Sequence, residues 1–209
     1  MCDLIEHSRT TKTPLGILLL DQEKAFDKVS QDFLWKVMEK MGFQETFINW
    51  IRSLYHGASS QIRIGDELSE KINLERGVRQ GDPISPLLFT LCMEPLIQAI
   101  QTDPLINGYT ANEVSFKTSA YADDLTVFIS SGSDALRVEY WMDTFSKASG
   151  ATFNQNKSEA IFHLFSAPVT RFTVLDSLLS GRSLLFQAQP QRCLVTADNK
   201  VQKQNLGLV

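Results

Sequence analysis

Ser119-Ala-Tyr-Ala-Asp-Asp-Leu-Thr-Val-Phe128 holds two adjacent carboxylates, Asp123 and Asp124, between apolar residues that favour strands. Tyr121 lies just before them and Leu125, Val127 and Phe128 just after. Neither flank is long enough for a buried helix, so the stretch predicts a β-hairpin with both aspartates at its tip, where Asp tolerates turn geometry. An Asp-Asp pair in a turn is, taken alone, most simply a solvated loop. Held side by side and partly buried, however, two like charges repel unless a cation neutralises them.

Working outward from the hairpin, Gly16-Ile-Leu-Leu-Leu20 is a continuous apolar run of the kind found in a strand covered on both faces, and it ends at Asp21. Ser30 is a suitable N-cap for a helix to about Lys40, with Phe33, Leu34, Val37, Met38 and Met41 inward and Gly42 as its stop. A second helix from about Glu45 to Tyr55 turns Phe47, Ile48, Ile51, Leu54 and Tyr55 inward. Trp35, Trp50 and Trp141 all fall on helical faces and read as packing residues. Period-two alternation in 61–64 and 71–74 around Gly65-Asp66 predicts a hairpin.

Two glycines and two prolines in Arg76-Gly-Val-Arg-Gln-Gly-Asp-Pro-Ile-Ser-Pro86 demand a shaped loop. Ser85 and Pro86 then fit the cap and first turn of a helix from Leu87 to about Gln101. Ser133 or Asp134 caps another helix to about Ala148, and 158–162 returns as a strand. Beyond His163 no period holds for long, which makes this the one boundary in the chain.

Composition narrows the classes. A chain of 209 residues with 43% hydrophobic content can bury a sizeable core. No apolar run approaches the roughly 18 to 20 residues that cross a bilayer, and the first residues lack the apolar core of a signal peptide. The expected setting is therefore intracellular, nucleus or cytoplasm, without a membrane. Cys2, Cys92 and Cys193 are odd in number and far apart, which fits reduced thiols. The net charge is −4; residues 163–209 hold five Arg or Lys against two Asp, and that +3 leaves −7 on residues 1–162. A nucleic-acid partner normally meets a more basic surface.

The acids fall into one scheme. Asp21 ends one strand, and Asp123 and Asp124 sit at a hairpin tip about a hundred residues later, so neighbouring strands could bring them together. Oxygen ligands without His or Cys select hard cations, and an incomplete carboxylate set suits Mg²⁺. Two such ions about 4 Å apart serve phosphoryl transfer. His7, His56 and His163 are isolated and suggest no ligand set.

Four segments, DQEKAFDKV, GVRQGDPISPLLF, AYADDLTVF and GATFNQNKSEAIF, resemble in order the palm motifs of the reverse transcriptases of non-LTR (LINE-type) retrotransposons. The resemblance covers residues 3–162. It implies an α+β fold, an antiparallel palm sheet packed on helices, with partial fingers. It also implies RNA-directed DNA synthesis with two Mg²⁺ ions, Mn²⁺ being an alternative, on an RNA template, a DNA primer and deoxynucleotide triphosphates.

Residue by residue, the resemblance makes Asp21, Asp123 and Asp124 the metal-binding acids, with the Gln22 carbonyl as an extra ligand. Phe26 matches the residue that excludes a ribose 2′-hydroxyl, or else is plain core. Gln80 and Gly81 match the loop that contacts nucleotide and template, with glycine allowing close backbone approach. Arg79 either touches phosphate or pairs with Asp82 or Asp27. Lys157 matches the lysine proposed to protonate the leaving pyrophosphate, or is a solvated lysine before a strand. Tyr121 supports the primer side of the hairpin. Asp27 looks catalytic, yet its place before the helix at Ser30 favours an interaction with the helix dipole.

The chain also departs from that pattern. The first motif begins at residue 21, so most of the fingers and their basic residues are missing, and residues 163–209 do not resemble a thumb. The expectation is a reverse transcriptase domain over 1–162 with an unassigned, poorly ordered tail over 163–209, impaired in activity alone. The alternative is a palm remnant that binds RNA or a protein partner without chemistry. Oligomeric state does not follow from these residues.

Overall fold

The computed structural model describes residues 2–164 apart from residue 155, so the tail after Leu164 lies outside the described residues. Helix α1 (Cys2–Thr11) leads into strand β1 (Leu15–Leu20), then a single helical turn α2 (Ala25–Lys28) and helices α3 (Gln31–Lys40) and α4 (Glu45–Tyr55). The Ser30 hydroxyl caps α3 by accepting the Phe33 N–H at 3.3 Å, as expected of Ser at that position.

A thin ribbon follows. Strands β2 (Ser59–Ser60), β3 (Arg63–Ile64), β4 (Glu67–Leu68) and β5 (Ile72–Asn73) pair as β2 with β5 and β3 with β4, folded about Gly65 at φ +63°. Helix α5 (Ser85–Thr102) comes next, then a short hairpin of β6 (Tyr109–Ala111) and β7 (Val114–Phe116). Strands β8 (Thr118–Tyr121) and β9 (Asp124–Ile129), helix α6 (Gly132–Ser149) and strand β10 (Glu159–His163) complete the described chain.

One four-stranded sheet organises these elements, in the order β10-β1-β9-β8 and antiparallel throughout. β1 is central and buried on both faces, which is why its sequence reads as a continuous apolar run. On one face Leu18, Leu20, Leu125, Val127, Ile129 and Ala160 join the core built with α3, α5 and α6. On the other, Leu15, Ile17 and Phe128 pack with Tyr109, Ala111 and residues of α1. Among the described residues no helix is long and apolar enough to cross a membrane.

Three expectations are corrected. The cap of α6 is Ser131, whose hydroxyl takes the Asp134 N–H; Asp134 itself is buried, accepting from the N–H groups of Gly108 and Ser130 and the hydroxyl of Ser131. Helix α5 starts at Ser85, and Ser85 does not cap it: its buried hydroxyl lies 3.3 Å from that of Tyr55. The outer side of α4 is not core, since Trp50 is 66% exposed and Phe47 and Leu54 also face outward.

Candidate active site

The hairpin forms, but its two-residue turn is Ala122 and Asp123, so only Asp123 is at the tip while Asp124 opens β9 as the partner of Tyr121. Ala122 adopts a left-handed φ of +53°, a conformation that costs an L-residue about 1–2 kcal/mol. Both aspartates are exposed, and Tyr121 is 84% exposed. Asp21 follows β1 directly and is half-buried. The last paired residues of β1 and β9 are Leu20 and Leu125, so one further register step sets Asp21 opposite Asp124.

Alternation along the strands then fixes the face. Leu20 and Leu125 point into the helix-backed core, so Asp21 and Asp124 point to the opposite side of the sheet. Tyr121, Asp124 and Asp21 therefore lie in a row across three adjacent chain segments.

Past the end of β1, a second segment holds Asp21. Its N–H donates to the buried Ser158 hydroxyl at 3.1 Å, and its carbonyl accepts the Asn154 N–H at 2.8 Å. Gln22 bridges to Phe153, flanked by those bonds and by the Glu23 N–H donating to Thr152 at 2.9 Å. In that pattern the N–H and C=O of Gln22 face the other edge, toward β9. Its buried side-chain amide lies against Met93 Sδ at 2.6 Å, which leaves the carbonyl as the group Gln22 can offer. Lys157 is exposed on the turn that Asn154 closes by accepting the N–H groups of Lys157 and Ser158.

The loop at 76–86 docks onto the segment after Asp21. Val78 N–H donates to the Phe26 carbonyl and Gly77 N–H to that of Val29, both at 2.8 Å. The Gln80 amide reaches the Asp27 carboxylate at 3.0 Å. Arg79 does not take up Asp27 or Asp82; its guanidinium lies 5.6 Å from the centre of the Tyr55 ring, while Asp82 accepts the Ile84 N–H. Phe26 is half-buried and stacks on Phe89 with centroids 4.9 Å apart, so it packs at the core edge.

Close backbone approach occurs at Gly77, where a Cβ would stand 2.9 Å from the Phe26 and Asp27 carbonyl oxygens. At Gly81 the space is open, and only φ +86° asks for glycine. Sequence reasoning did not single out Gly77, Asn154 or Ser158. The three glycine-loop bonds to 26–29 depend on a fold contact that no local pattern reveals.

All the candidate ligands are oxygens, which fits a hard divalent cation. Register sets Asp21 opposite Asp124, with Asp123 at the neighbouring turn and the Gln22 backbone facing the β9 edge. Among the described residues no three His, Cys, Asp or Glu side chains are gathered closely enough to hold a metal ion, so the three aspartates are not drawn into one ligand cluster.

Comparison with known proteins gives a consistent picture. The family model described as reverse transcriptase (RNA-dependent DNA polymerase) matches residues 2–203. The Xenopus laevis protein described as "Transposon TX1 uncharacterized 149 kDa protein" is 31% identical over 161 residues, 76% of this chain and 12% of that protein. A Pol polyprotein from the type-1 retrotransposable element R2 of Popillia japonica is 34% identical over 122 residues, 58% of this chain and 17% of the relative. The chain thus spans a small part of the curated relatives it matches. Among solved structures, apo telomerase from Candida tropicalis aligns with a TM-score of 0.55 at 15% identity, over 78% of this chain and 34% of the telomerase. At that identity the likeness concerns the fold, a mixed helix and antiparallel-sheet palm with part of the fingers.

Proposed function

The chain belongs to the reverse transcriptase (RNA-dependent DNA polymerase) family, and from that premise we propose that it carries the nucleotidyl-transfer centre of a non-LTR retrotransposon polymerase. The substrates in this reading are an RNA template, a DNA primer and deoxynucleotide triphosphates. The observation that carries it is the placement of Asp21 one register step past Leu20, opposite Asp124 and on the sheet face opposite α3, α5 and α6.

In the reaction, the primer 3′-hydroxyl gives up its proton to solvent, its oxygen bonds to the α-phosphorus of the nucleotide, and the bond to the pyrophosphate oxygen breaks. Asp21, Asp123, Asp124 and the Gln22 carbonyl would hold the cations, Mg²⁺ or Mn²⁺. Divalent ions held there would supply charge to acidify the attacking hydroxyl and neutralise the leaving oxygen. Phe26, fixed on Phe89, bounds the sugar of the incoming nucleotide, and Gln80, steered by Asp27, faces its base or template partner. Gly81 lets the loop turn there. Arg79, whose guanidinium lies over the Tyr55 ring and which no carboxylate among the described residues holds, is left to meet phosphate. Lys157 gives a proton to the departing pyrophosphate. Tyr121, exposed beside Asp124, supports the primer end.

The −7 charge of residues 1–162 limits the grip on nucleic acid, so the isolated chain is expected to extend primers weakly. The test is primer extension on poly(rA)/oligo(dT) with Mg²⁺, comparing the wild type with Asp124→Ala. Weak, template-dependent synthesis lost in the variant supports the proposal. Tight RNA binding with no synthesis under Mg²⁺ or Mn²⁺ would support a binding module in its place.

A further inference from the structure

Asp21 stands beyond the paired length of β1, whose last paired residues are Leu20, opposite Leu125 of β9, and Leu19, opposite Glu159 of β10. On the β10 side its position is therefore not set by the regular ladder. Both of its backbone groups are instead taken by one turn: the N–H by the Ser158 hydroxyl at 3.1 Å and the carbonyl by the Asn154 N–H at 2.8 Å. Ser158 is only 4% exposed, so water is a poor substitute acceptor there.

The turn is itself closed. The Asn154 carbonyl accepts the Ser158 N–H at 2.9 Å and the Lys157 N–H at 3.2 Å, and the Asn154 side chain accepts the Asn156 N–H at 3.1 Å. Directly after it, Glu159 enters β10 opposite Leu19. The turn thus grips Asp21 from both of its ends, Asn154 and Ser158, and continues at Glu159 into the sheet, with Lys157 just before Ser158.

We propose that Ser158 is a positioning residue for Asp21, and that the turn closed by Asn154 and Ser158 holds the first acid and Lys157 at a fixed separation. This rests on the polymerase reading above. The hydroxyl touches no substrate in this scheme; it acts through the Asp21 backbone. A shift of that acid of an ångström or less is the kind of displacement that slows a metal-assisted transfer without weakening substrate binding.

The experiment compares full-length Ser158→Ala and Ser158→Thr with wild type. The expected result for Ser158→Ala is a kcat about tenfold lower, an unchanged KM for the nucleotide and a several-fold higher Mg²⁺ requirement, with Thr restoring all three to within about twofold. Hydrogen exchange at the Asp21 amide and Mn²⁺ binding by electron paramagnetic resonance are read in parallel. The Ala variant should exchange that amide roughly tenfold faster and bind Mn²⁺ more weakly.

Wild-type amide exchange and Mn²⁺ binding in Ser158→Ala would overturn the proposal, as would equal damage from Thr and Ala. If the wild type makes no DNA, the polymerase reading fails while the amide and Mn²⁺ measurements still decide on Ser158. Should Ser158→Ala not fold, Ser158→Cys, of similar shape with a weak acceptor, carries the test. Intermediate exchange is then expected, and wild-type exchange counts against the role.

Discussion

The side-chain amide of Gln80 donates to the Asp27 carboxylate at 3.0 Å, tying the glycine-rich loop to the turn that follows β1. Asp27 is exposed and sits in the first turn of a four-residue helix, so the helix dipole gives it little to do; steering Gln80 is the larger effect. Asp27→Ala should leave folding stability within about 0.5 kcal/mol of wild type, since the bond is at the surface. Its effect should fall on nucleotide KM, raised a few-fold with kcat nearly constant. Steady-state primer extension over a range of nucleotide concentrations measures it, and a fall in kcat with KM unchanged would point to a catalytic role for Asp27.

Glycine is required at Gly77 and Gly81 for different reasons, and the two can be told apart. Gly81→Ala meets open space and only a positive φ, so it should cost about 1–2 kcal/mol. Gly77→Ala adds to the same φ penalty a Cβ 2.9 Å from two backbone oxygens that cannot swing aside. A loss of about 3 kcal/mol or more is expected, together with release of the loop from residues 26–29. Urea unfolding midpoints of the two variants give the comparison. Equal midpoints would show that the loop is not held as described.

Asp103 closes the end of α5 against α6 and is 5% exposed. Burial by itself pushes its carboxyl upward; the Leu105 N–H, the Trp141 indole N–H at 2.6 Å and the Arg137 guanidinium at 2.5 Å outweigh it and hold the group below the usual carboxylate range. A carboxylate with a lowered folded pKa stabilises the protein above its unfolded value, roughly 3.9, and loses that stabilisation as pH falls through the folded value. Wild type should therefore melt above Asp103→Asn at pH 7, and the gap should begin to close below about pH 4. Thermal unfolding at a series of pH values checks both the sign and the window. A gap that is constant down to pH 3 would mean that charge is not what Asp103 contributes.

The sequence-legible parts of the fold are those where a local rule meets no tertiary competitor. The run 16–20 has no polar residue because β1 is covered on both faces, and Ser30 caps α3 because no other group among the described residues takes its hydroxyl. The hairpin around Asp123 and Asp124 was equally plain from its flanks, though its turn falls on Ala122 and Asp123. Ser85 and Asp134 have the same cap chemistry as Ser30 and Ser131, yet the core takes them: Ser85 toward Tyr55, Asp134 toward the backbone of 107–108 and 130. Gly77 and Ser158 escaped for another reason. Their roles lie in contacts with residues 26–27 and 21, some 50 and 137 positions away, and no spacing in the chain encodes such a contact.

Helix α4 shows the limit of periodicity and gives the last prediction. Phe43, Phe47, Trp50 and Leu54 recur at helical spacing, which the sequence cannot distinguish from a core stripe. In the structure Ile48, Ile51 and Tyr55 form the buried side, while Trp50 and Leu54 are 66% and 49% exposed and Phe43 stacks on Phe47 at the surface. Ser at position 50 removes no buried contact, so Trp50→Ser should change stability by no more than about 0.5 kcal/mol. Contiguous exposed apolar surface does promote association, and the variant should stay monodisperse at higher protein concentration than wild type. Paired urea unfolding and light-scattering series test this. A loss near the 3–5 kcal/mol typical of a core aromatic would place Trp50 inside after all.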